Sequence, residues 1–394
     1  MYNLIYTTDE YNQGDMFDRF GKNNLYDRDV FVYNLVSIDD IEDNNQKNII
    51  LGLPIRSLIK HGKKVRKLLS KENFVVVFPI EHEAAHDKQL KWIYKNMSAN
   101  NFLHHKVYVI SYDVNSKNTF KEWQNEYNIE SDINSIYIDT FLFENLDVFF
   151  ENQEIVHREH LENKGVRPYY YVCYNADPKE HRVRLVEDLQ KENLDKLGLV
   201  SLLRDKDPLI LDREKVDHSD MTTQRYPIDH YCDTYFSIVT ESYFWSHHGE
   251  HYKHITGINE KTYKAMMLNP FIVLGGHGTL KHLKKLGFQT FPELFDESYD
   301  EVFDPHLRYE KVLESIRGVC SMDKEKIDDL YHSVLVDKVK YNQDLYMNYD
   351  RKEMFDIFMN QFRWNYETPD NLGEGDSYNK DKKQLELRFQ RIKL

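Results

Sequence analysis

The chain has 394 residues, enough for two or three domains of the usual size of roughly 150 residues each. It carries 52 basic and 66 acidic residues, so its formal net charge is −14, and its pI is about 5.7. This balance counts against a surface built to neutralise nucleic-acid phosphates, although a local basic groove would be compatible with it. No apolar run approaches the eighteen or so residues that a membrane span requires.

Cysteine usage and the first residues indicate the cellular compartment. The three cysteines, Cys173, Cys232 and Cys320, lie far apart and form no CxxC pair. They offer no disulfide framework, which favours a reducing environment. The start of the chain carries acids early and lacks the basic and then apolar pattern of a secretory leader. We therefore expect a soluble, cytoplasmic protein with no membrane span.

The first part of the chain alternates short apolar runs with helical patterns. A helix is predicted over 55–69, where apolar residues recur at helical spacing. The predicted strands are 3–7, 30–35, 74–80, 107–112 and 135–143. This alternation predicts βαβ units around a mostly parallel sheet, in an N-terminal α/β lobe of residues 1–165.

A second α/β series follows a polar segment at 154–168 and forms a predicted lobe of residues 166–320. Its predicted strands are 169–174, 235–240 and 271–274, and its predicted helices are 181–194, 259–268 and 279–286, the last closed by Gly287. Beyond residue 299 the pattern is helical, with a loose polar stretch at 367–379, and 321–394 is predicted as a helical extension. Ligands of such α/β folds bind at the carboxyl ends of the strands.

One helix of the second lobe begins with residues suited to an anion. Asn259 is a good N-cap, and Glu260 and Lys261 occupy the first turn. Free amide hydrogens and the positive end of the helix dipole attract anions there. The charge of Lys261 opposes that dipole, which becomes favourable if a phosphate lies in front of it. The plainer alternative is a surface lysine without a special role.

A second junction of strand, loop and helix lies upstream. The strand 169–174 runs into Asn175, and Arg182 follows near the start of the next helix. Arginine is always charged and can hold phosphate oxygens bidentately. Arg182 and Lys261, on separate junctions, could therefore bind a diphosphate between them.

Taken in chain order, these segments resemble the donor-binding half of the α-1,3-fucosyltransferases, the family 10 glycosyltransferases. The resemblance covers about 169–276, roughly a quarter of the chain. It rests on a strand followed by Asn175 and Arg182, a strand ending in Glu241 and Ser242, and Glu260 and Lys261 beginning a helix before Pro270-Phe271-Ile272-Val273-Leu274-Gly275. Three features depart from the family pattern: Asn259 replaces a threonine, Thr240-Glu241-Ser242 stands where Glu-Asn-Ser is expected, and an unusual histidine-rich segment, 246–254, lies between them.

The resemblance implies a GT-B fold, with two Rossmann-like lobes facing each other across a cleft. It also implies an inverting, metal-independent transfer of a sugar from a nucleotide-diphosphate donor, GDP-fucose in the family, to a carbohydrate hydroxyl, with no cofactor. By motif match, Arg182 and Lys261 neutralise the diphosphate and Glu260 hydrogen-bonds the ribose or sugar. Asn175 and Glu241 complete the implied donor-binding set.

Such a transfer needs a carboxylate that takes the proton of the acceptor hydroxyl. In GT-B enzymes this group usually comes from the first lobe. Glu81 and Glu83, directly after the apolar strand 74–80, are the first candidates for the catalytic base, and His86 and Asp113 are weaker ones. A capping or loop role is the alternative for any carboxylate at a strand end.

Three further patterns each have two interpretations. The histidine-rich segment 246–254 offers spacings usable by a transition metal, but we favour a polar loop over the cleft. The turn 275–278 could cradle phosphate, but it lacks the established glycine patterns, and a tight strand-to-helix turn is the better account. The basic residues of 56–67 could bind an acidic partner or nucleic acid, and we favour a solvated helix face.

Two other functions stay open alongside a glycan-directed glycosyltransferase. One is a glycosyltransferase that modifies DNA bases, against which the net charge of −14 counts. The other is a non-catalytic descendant that binds a nucleotide, a glycan or a protein partner. The sequence indicates neither the sugar nor the oligomeric state.

Overall fold

The structure is a computed structural model of the chain. It describes residues 2–7, 31–36, 49–52, 57–71, 74–79, 93–95, 97, 99, 106–111, 113–126, 128, 134–137, 139, 165–203, 209, 228–244 and 256–349.

The N-terminal part of the chain forms a six-stranded parallel sheet. Its strands are β1 (Tyr2–Thr7), β2 (Phe31–Val36), β3 (Ile49–Gly52), β4 (Phe74–Pro79), β5 (Val107–Ser111) and β6 (Asn134–Tyr137). They lie in the order β2-β1-β3-β4-β5-β6, and every neighbouring pair is parallel. The order reverses between β1 and β3, which is the topological switch point where doubly wound sheets bind ligands.

Continuous apolar runs explain why β4 and β5 lie inside this sheet. β5 is buried along its whole length, as parallel strands covered on both faces are. Helix α1 (Ser57–Leu69) precedes β4, and helix α2 (Ser116–Glu126) connects β5 to β6. On α1, Val65 and Leu68 are buried while Lys63, Arg66 and Lys67 are exposed, so these basic side chains face solvent, as both interpretations of the segment require.

A second parallel sheet of four strands follows. Its strands are β7 (Tyr169–Cys173), β8 (Gly198–Val200), β9 (Thr234–Thr240) and β10 (Phe271–Leu274), in the order β10-β9-β7-β8. Its helices are α3 (Glu180–Lys191), α4 (Ile228–Cys232), α5 (Glu260–Leu268) and α6 (Thr279–Lys285), with a 3₁₀ turn at Leu194–Leu197. The switch point of this sheet lies between β7 and β9, so the residues after these two strands are neighbours.

Helices follow the second sheet and pack back onto it. They are a 3₁₀ turn at Glu297–Glu301, α7 (Pro305–Cys320), α8 (Lys324–Leu330), a π-helical turn at Tyr331–Leu335, and α9 (Val336–Met347). Asp304 caps α7 by accepting the amide of Leu307 at 2.9 Å. α9 packs against α5, where Gln343 donates to the carbonyl of Met267 at 2.6 Å.

The α/β class, the parallel sheets and the helical region to Met347 are therefore confirmed. Residues 367–379 lie outside the described part of the chain, and the three domain boundaries stay predictions. β3 and β8 were not predicted, and β8, with three residues, is too short to show a periodicity. Among the described residues, no helix has both the length and the apolar character needed to cross a membrane.

Candidate functional site

The carboxyl edge of the second sheet brings together the three segments singled out in the sequence. Asn175 follows β7, Glu241 follows β9, and Asn259 precedes α5. The side chains of all three are buried and joined by hydrogen bonds to neighbouring segments. A buried, hydrogen-bonded polar network of this kind restricts the conformation of the loops that it connects.

Asn175 links the ends of three strands. Its amide nitrogen donates to the carbonyl of Ser201, beyond β8, at 3.0 Å. Its amide oxygen accepts the hydroxyl of Thr240, the last residue of β9, at 2.7 Å. Asn175 is wholly buried, so these bonds compensate the loss of water. Its place in donor binding stays a prediction.

Glu241 holds the first turn of α5. Its Oε1 atom accepts the amide of Asn259 at 3.2 Å and also the hydroxyl of Thr262. The side chain of Asn259 in turn accepts the amide of Lys261 at 3.0 Å, which confirms the predicted N-cap. The carboxyl group of Glu241 therefore lies at the positive end of the helix dipole, where negative charge is stabilised.

Arg182 is directed at the end of β9. Its guanidinium is buried and donates to the carbonyls of Thr240 at 3.1 Å and Glu241 at 3.4 Å. The neighbouring His181 places its Nε2 atom 2.9 Å from the same Glu241 carbonyl. These contacts make Arg182 a support for the turn after β9. The two carbonyl contacts of Arg182 are buried. The diphosphate contact expected of Arg182 stays a prediction.

Glu260 and Lys261 lie at the more accessible rim. Lys261 Nζ is 3.1 Å from Glu260 Oε1, and the two side chains are 31% and 16% exposed respectively. Burial raises the pKa of Glu260, but the charges of Lys261 and Lys264 outweigh it and hold the pKa below its usual value. The start of α5 thus presents a charged pair that an incoming anion could open.

Lys179 is a second cation at this edge, and the sequence analysis overlooked it. It stands directly before α3, and its Nζ atom donates to the carbonyl of Ser242 at 2.9 Å. The Ser242 hydroxyl accepts from the side-chain Nδ2 of Asn259 at 3.2 Å, which connects Lys179 to the start of α5. The criterion applied to Lys261, a lysine opposing a helix dipole, would have identified Lys179 as well.

The glycine-rich segment after β10 is a tight turn, as favoured from the sequence. Thr279 donates its hydroxyl to the carbonyl of Gly276 at 2.8 Å, and Gly278 has a φ of +79°, which favours glycine. A Cβ atom on Gly275 would lie 3.1 Å from Thr279 Oγ1 and 3.4 Å from Glu241 Cγ. The turn therefore approaches Glu241 closely.

The carboxylate of Asp113 in the first sheet serves the backbone. Its Oδ1 atom accepts the amides of Asn115 at 2.9 Å and Thr256 at 3.0 Å, and the side chain is wholly buried. These bonds fit the capping alternative for this weaker base candidate. Glu81, Glu83 and His86, and the histidine-rich segment 246–254, lie outside the described residues, so their roles stay predictions.

No metal site is evident in the part of the chain that the structure describes, where no three His, Cys, Asp or Glu side chains are grouped to hold an ion. The fold and the site define an α/β protein with two parallel sheets and a buried polar network at the switch point of the second. Comparisons with family models, curated proteins and solved structures found no match. Functional inference therefore rests on the site itself.

Proposed function

We propose that the protein is a glycosyltransferase that binds a nucleotide-diphosphate sugar at the carboxyl edge of its second sheet. One observation carries the proposal. The three segments that resemble the fucosyltransferase donor site, at Asn175, Glu241 and Asn259, contact one another at the switch point. Topology alone brings the strand ends near each other, but it does not require that their side chains be bonded together.

The chemistry of sugar transfer accounts for cations at this edge. Breaking a sugar–diphosphate bond develops negative charge on the leaving phosphate, and fixed positive groups there stabilise the transition state. Lys179 and Lys261 each stand at the start of a helix and are bridged by Ser242 and Asn259. In the proposal these two lysines contact the diphosphate. Arg182 holds the turn after β9, and its predicted contact with the diphosphate remains part of the proposal.

The proposal keeps the GT-B arrangement and assigns the acceptor to the first sheet. Both sheets are parallel and each has a switch point, which supports two nucleotide-fold lobes. The predicted catalytic base is Glu81 or Glu83, beyond the carboxyl end of β4. The donor is a nucleotide-diphosphate sugar, with GDP-fucose as the first to test, and the acceptor is a carbohydrate hydroxyl.

A thermal-shift screen of nucleotide sugars tests donor binding. We expect one diphosphate sugar to raise the melting temperature by several degrees at a hundredfold excess over its dissociation constant, equivalent to roughly 2.7 kcal/mol. Lys261→Ala should lose most of that gain. Lys281→Ala is the matched control, because Lys281 is an exposed lysine in the first turn of α6, the helix that follows the edge strand β10.

Release of the nucleoside diphosphate with an acceptor glycan tests the transfer itself. We expect the wild type to release the nucleoside diphosphate. Glu81→Gln or Glu83→Gln should abolish this release while donor binding persists. Binding without release across an acceptor library would indicate a non-catalytic descendant. Equal loss of the stabilisation by the nucleotide sugar in Lys261→Ala and Lys281→Ala would show that Lys261 is not part of the donor site.

A further inference from the structure

The segment that begins α5 is bonded to the first sheet as well as to the second. The first group of contacts is formed by Asp113, Val114 and Asn115, which follow β5. Asp113 accepts the amide of Thr256 at 3.0 Å, and the side chain of Asn115 donates to the Thr256 hydroxyl at 3.0 Å. The amide of Val114 donates to the Thr256 carbonyl, also at 3.0 Å. Thr256 precedes the first residue of α5, Glu260, by four positions.

A second group of contacts joins the end of β6 to α5 and α6. Tyr263, on α5, donates its hydroxyl to Asp139 Oδ2. Tyr137, the last residue of β6, donates to the same oxygen at 3.1 Å. His282, on α6, places Nε2 3.0 Å from the Tyr137 hydroxyl and 3.9 Å from Asp139 Oδ2. Asp139 and Tyr263 are buried, so water does not compete for these bonds.

The two tyrosines are permanent donors in this group. Burial and the adjacent Asp139 raise the pKa of Tyr137 and of Tyr263 well above the usual tyrosine value. Both hydroxyls therefore keep their protons, and the Asp139 carboxylate receives two hydrogen bonds. Hydrogen bonds to a charged acceptor are stronger than those between neutral groups.

We infer that the first sheet positions the donor-binding turn, with Asp113 and Asp139 as positioning residues that hold the segment 256–263 at its two ends. This segment carries Glu260 and Lys261, and the inference therefore rests on the proposed function of that turn. Since a helical turn is stiff, displacement of Tyr263 moves Lys261, two residues away. A change in the contact between the two sheets should then also change the geometry of the donor site.

Hydrogen exchange of Tyr263→Phe tests the coupling directly. Phenylalanine keeps the ring packing against Phe288 and Tyr346 and removes only the hydroxyl. We expect amide exchange to become about tenfold faster both at 256–262 and across the sheet boundary at 107–115. A change confined to α5, with 107–115 unaffected, would overturn the inference.

Tyr309→Phe is the matched control. Tyr309 is also wholly buried, and its hydroxyl donates to an aspartate, Asp188, at 2.7 Å. That bond joins α7 to α3 and does not involve the first sheet. The control should accelerate exchange at α3 and α7 and leave 107–115 unchanged.

Ligand affinity separates positioning from general stability. With the nucleotide sugar that stabilises the wild type, Tyr263→Phe should weaken binding about tenfold, whereas Tyr309→Phe, whose bond to α3 lies six residues beyond Arg182, should weaken it much less at a similar loss of melting temperature. Equal affinities in the two variants would refute the positioning role. If no nucleotide sugar binds the wild type, the proposed function fails, and the exchange experiment still decides whether the first sheet holds the segment.

Discussion

Two buried carboxylates hold adjacent residues of one helix, and they come from different sheets. Glu241 accepts the hydroxyl of Thr262, and Asp139 accepts the hydroxyl of Tyr263. Glu241 extends β9, within the second sheet, and lies 21 residues from its partner, whereas Asp139 follows β6 and lies 124 residues from its partner. Adjacent side chains on a helix differ in direction by about 100°, so α5 can face both regions at once.

The difference lies in what each bond connects. Glu241 also accepts the amide of Asn259, so it organises a turn internal to the second sheet. Asp139 receives donors from both sheets and lies between them. Loss of Glu241 should therefore damage the folding of the second sheet. Loss of the Asp139 bonds should loosen the contact between the two sheets more than it lowers the stability of either sheet.

The largest effect should come from Glu241→Ala. The variant leaves two buried donors, on Asn259 and Thr262, without this acceptor, and should lower the free energy of unfolding by about 3 kcal/mol. Urea denaturation at neutral pH measures the loss. Glu241→Gln keeps an acceptor oxygen and should lose only about 1 kcal/mol. Equal losses in both variants would show that the charge, and not the hydrogen bonds, is what stabilises the turn.

A double-mutant cycle between Asp139→Ala and Tyr263→Phe should give a coupling energy of about 1–2 kcal/mol. The two side chains share one hydrogen bond, so removing either partner already removes most of it. A cycle between Tyr263→Phe and Asp188→Asn should be additive, because Asp188 bonds to Tyr309 instead. Additivity in the first cycle would contradict the described contact.

The sequence predicted those features that depend on local patterns. Alternating apolar runs were sufficient for the parallel α/β class, and Asn259 was identified as an N-cap because capping depends on a few neighbouring residues. The turn at 275–278 was predicted correctly for the same reason. Asn175, Arg182 and Glu241 were recognised as one group, although sequence patterns do not tell which of them is buried.

The remaining features depend on contacts between distant residues. The sequence predicted Arg182 as an anion ligand, and it did not indicate that the fold directs the guanidinium at two strand-end carbonyls. Asp139 drew no attention because it belongs to no motif and acquires its partners from residues 124 and 143 positions away, as its bond to Tyr263 and its proximity to His282 show. Such partners are set by tertiary packing, which a periodicity argument does not contain.

The burial of Asp300 leads us to expect that the free energy of unfolding depends on pH through its bonds to the start of α6. Its carboxylate accepts the amides of Leu280 and Lys281, both at 2.9 Å, yet burial outweighs these bonds and raises its pKa. A raised folded pKa gives stability that is complete below the unfolded pKa, near 3.9, and is lost as pH rises through the folded pKa. Relative to Asp300→Asn, the wild type should gain on the order of 1 kcal/mol as pH falls through this window. Urea denaturation between pH 7 and pH 3.5 measures it, and a constant difference would contradict the shift.

The smallest effect should come from the ion pair at the rim. Lys261 and Lys264 lower the pKa of Glu260, so this stability is present above the unfolded pKa, near 4.3, and is lost as pH falls through the lower folded pKa. Both groups are partly exposed, and solvent screening limits the stabilisation to about 0.5 kcal/mol.

NMR titration of the Glu260 carboxyl group measures this pair without ligand. Lys261→Met should raise the Glu260 pKa more than Lys264→Met, because Lys261 makes the 3.1 Å contact. An equal rise in both variants would show that the pair is not formed in solution. A weak pair is what the proposed site needs, since a diphosphate must draw Lys261 from Glu260, whereas the stronger bonds of Glu241 and Asp139 keep the helix in place.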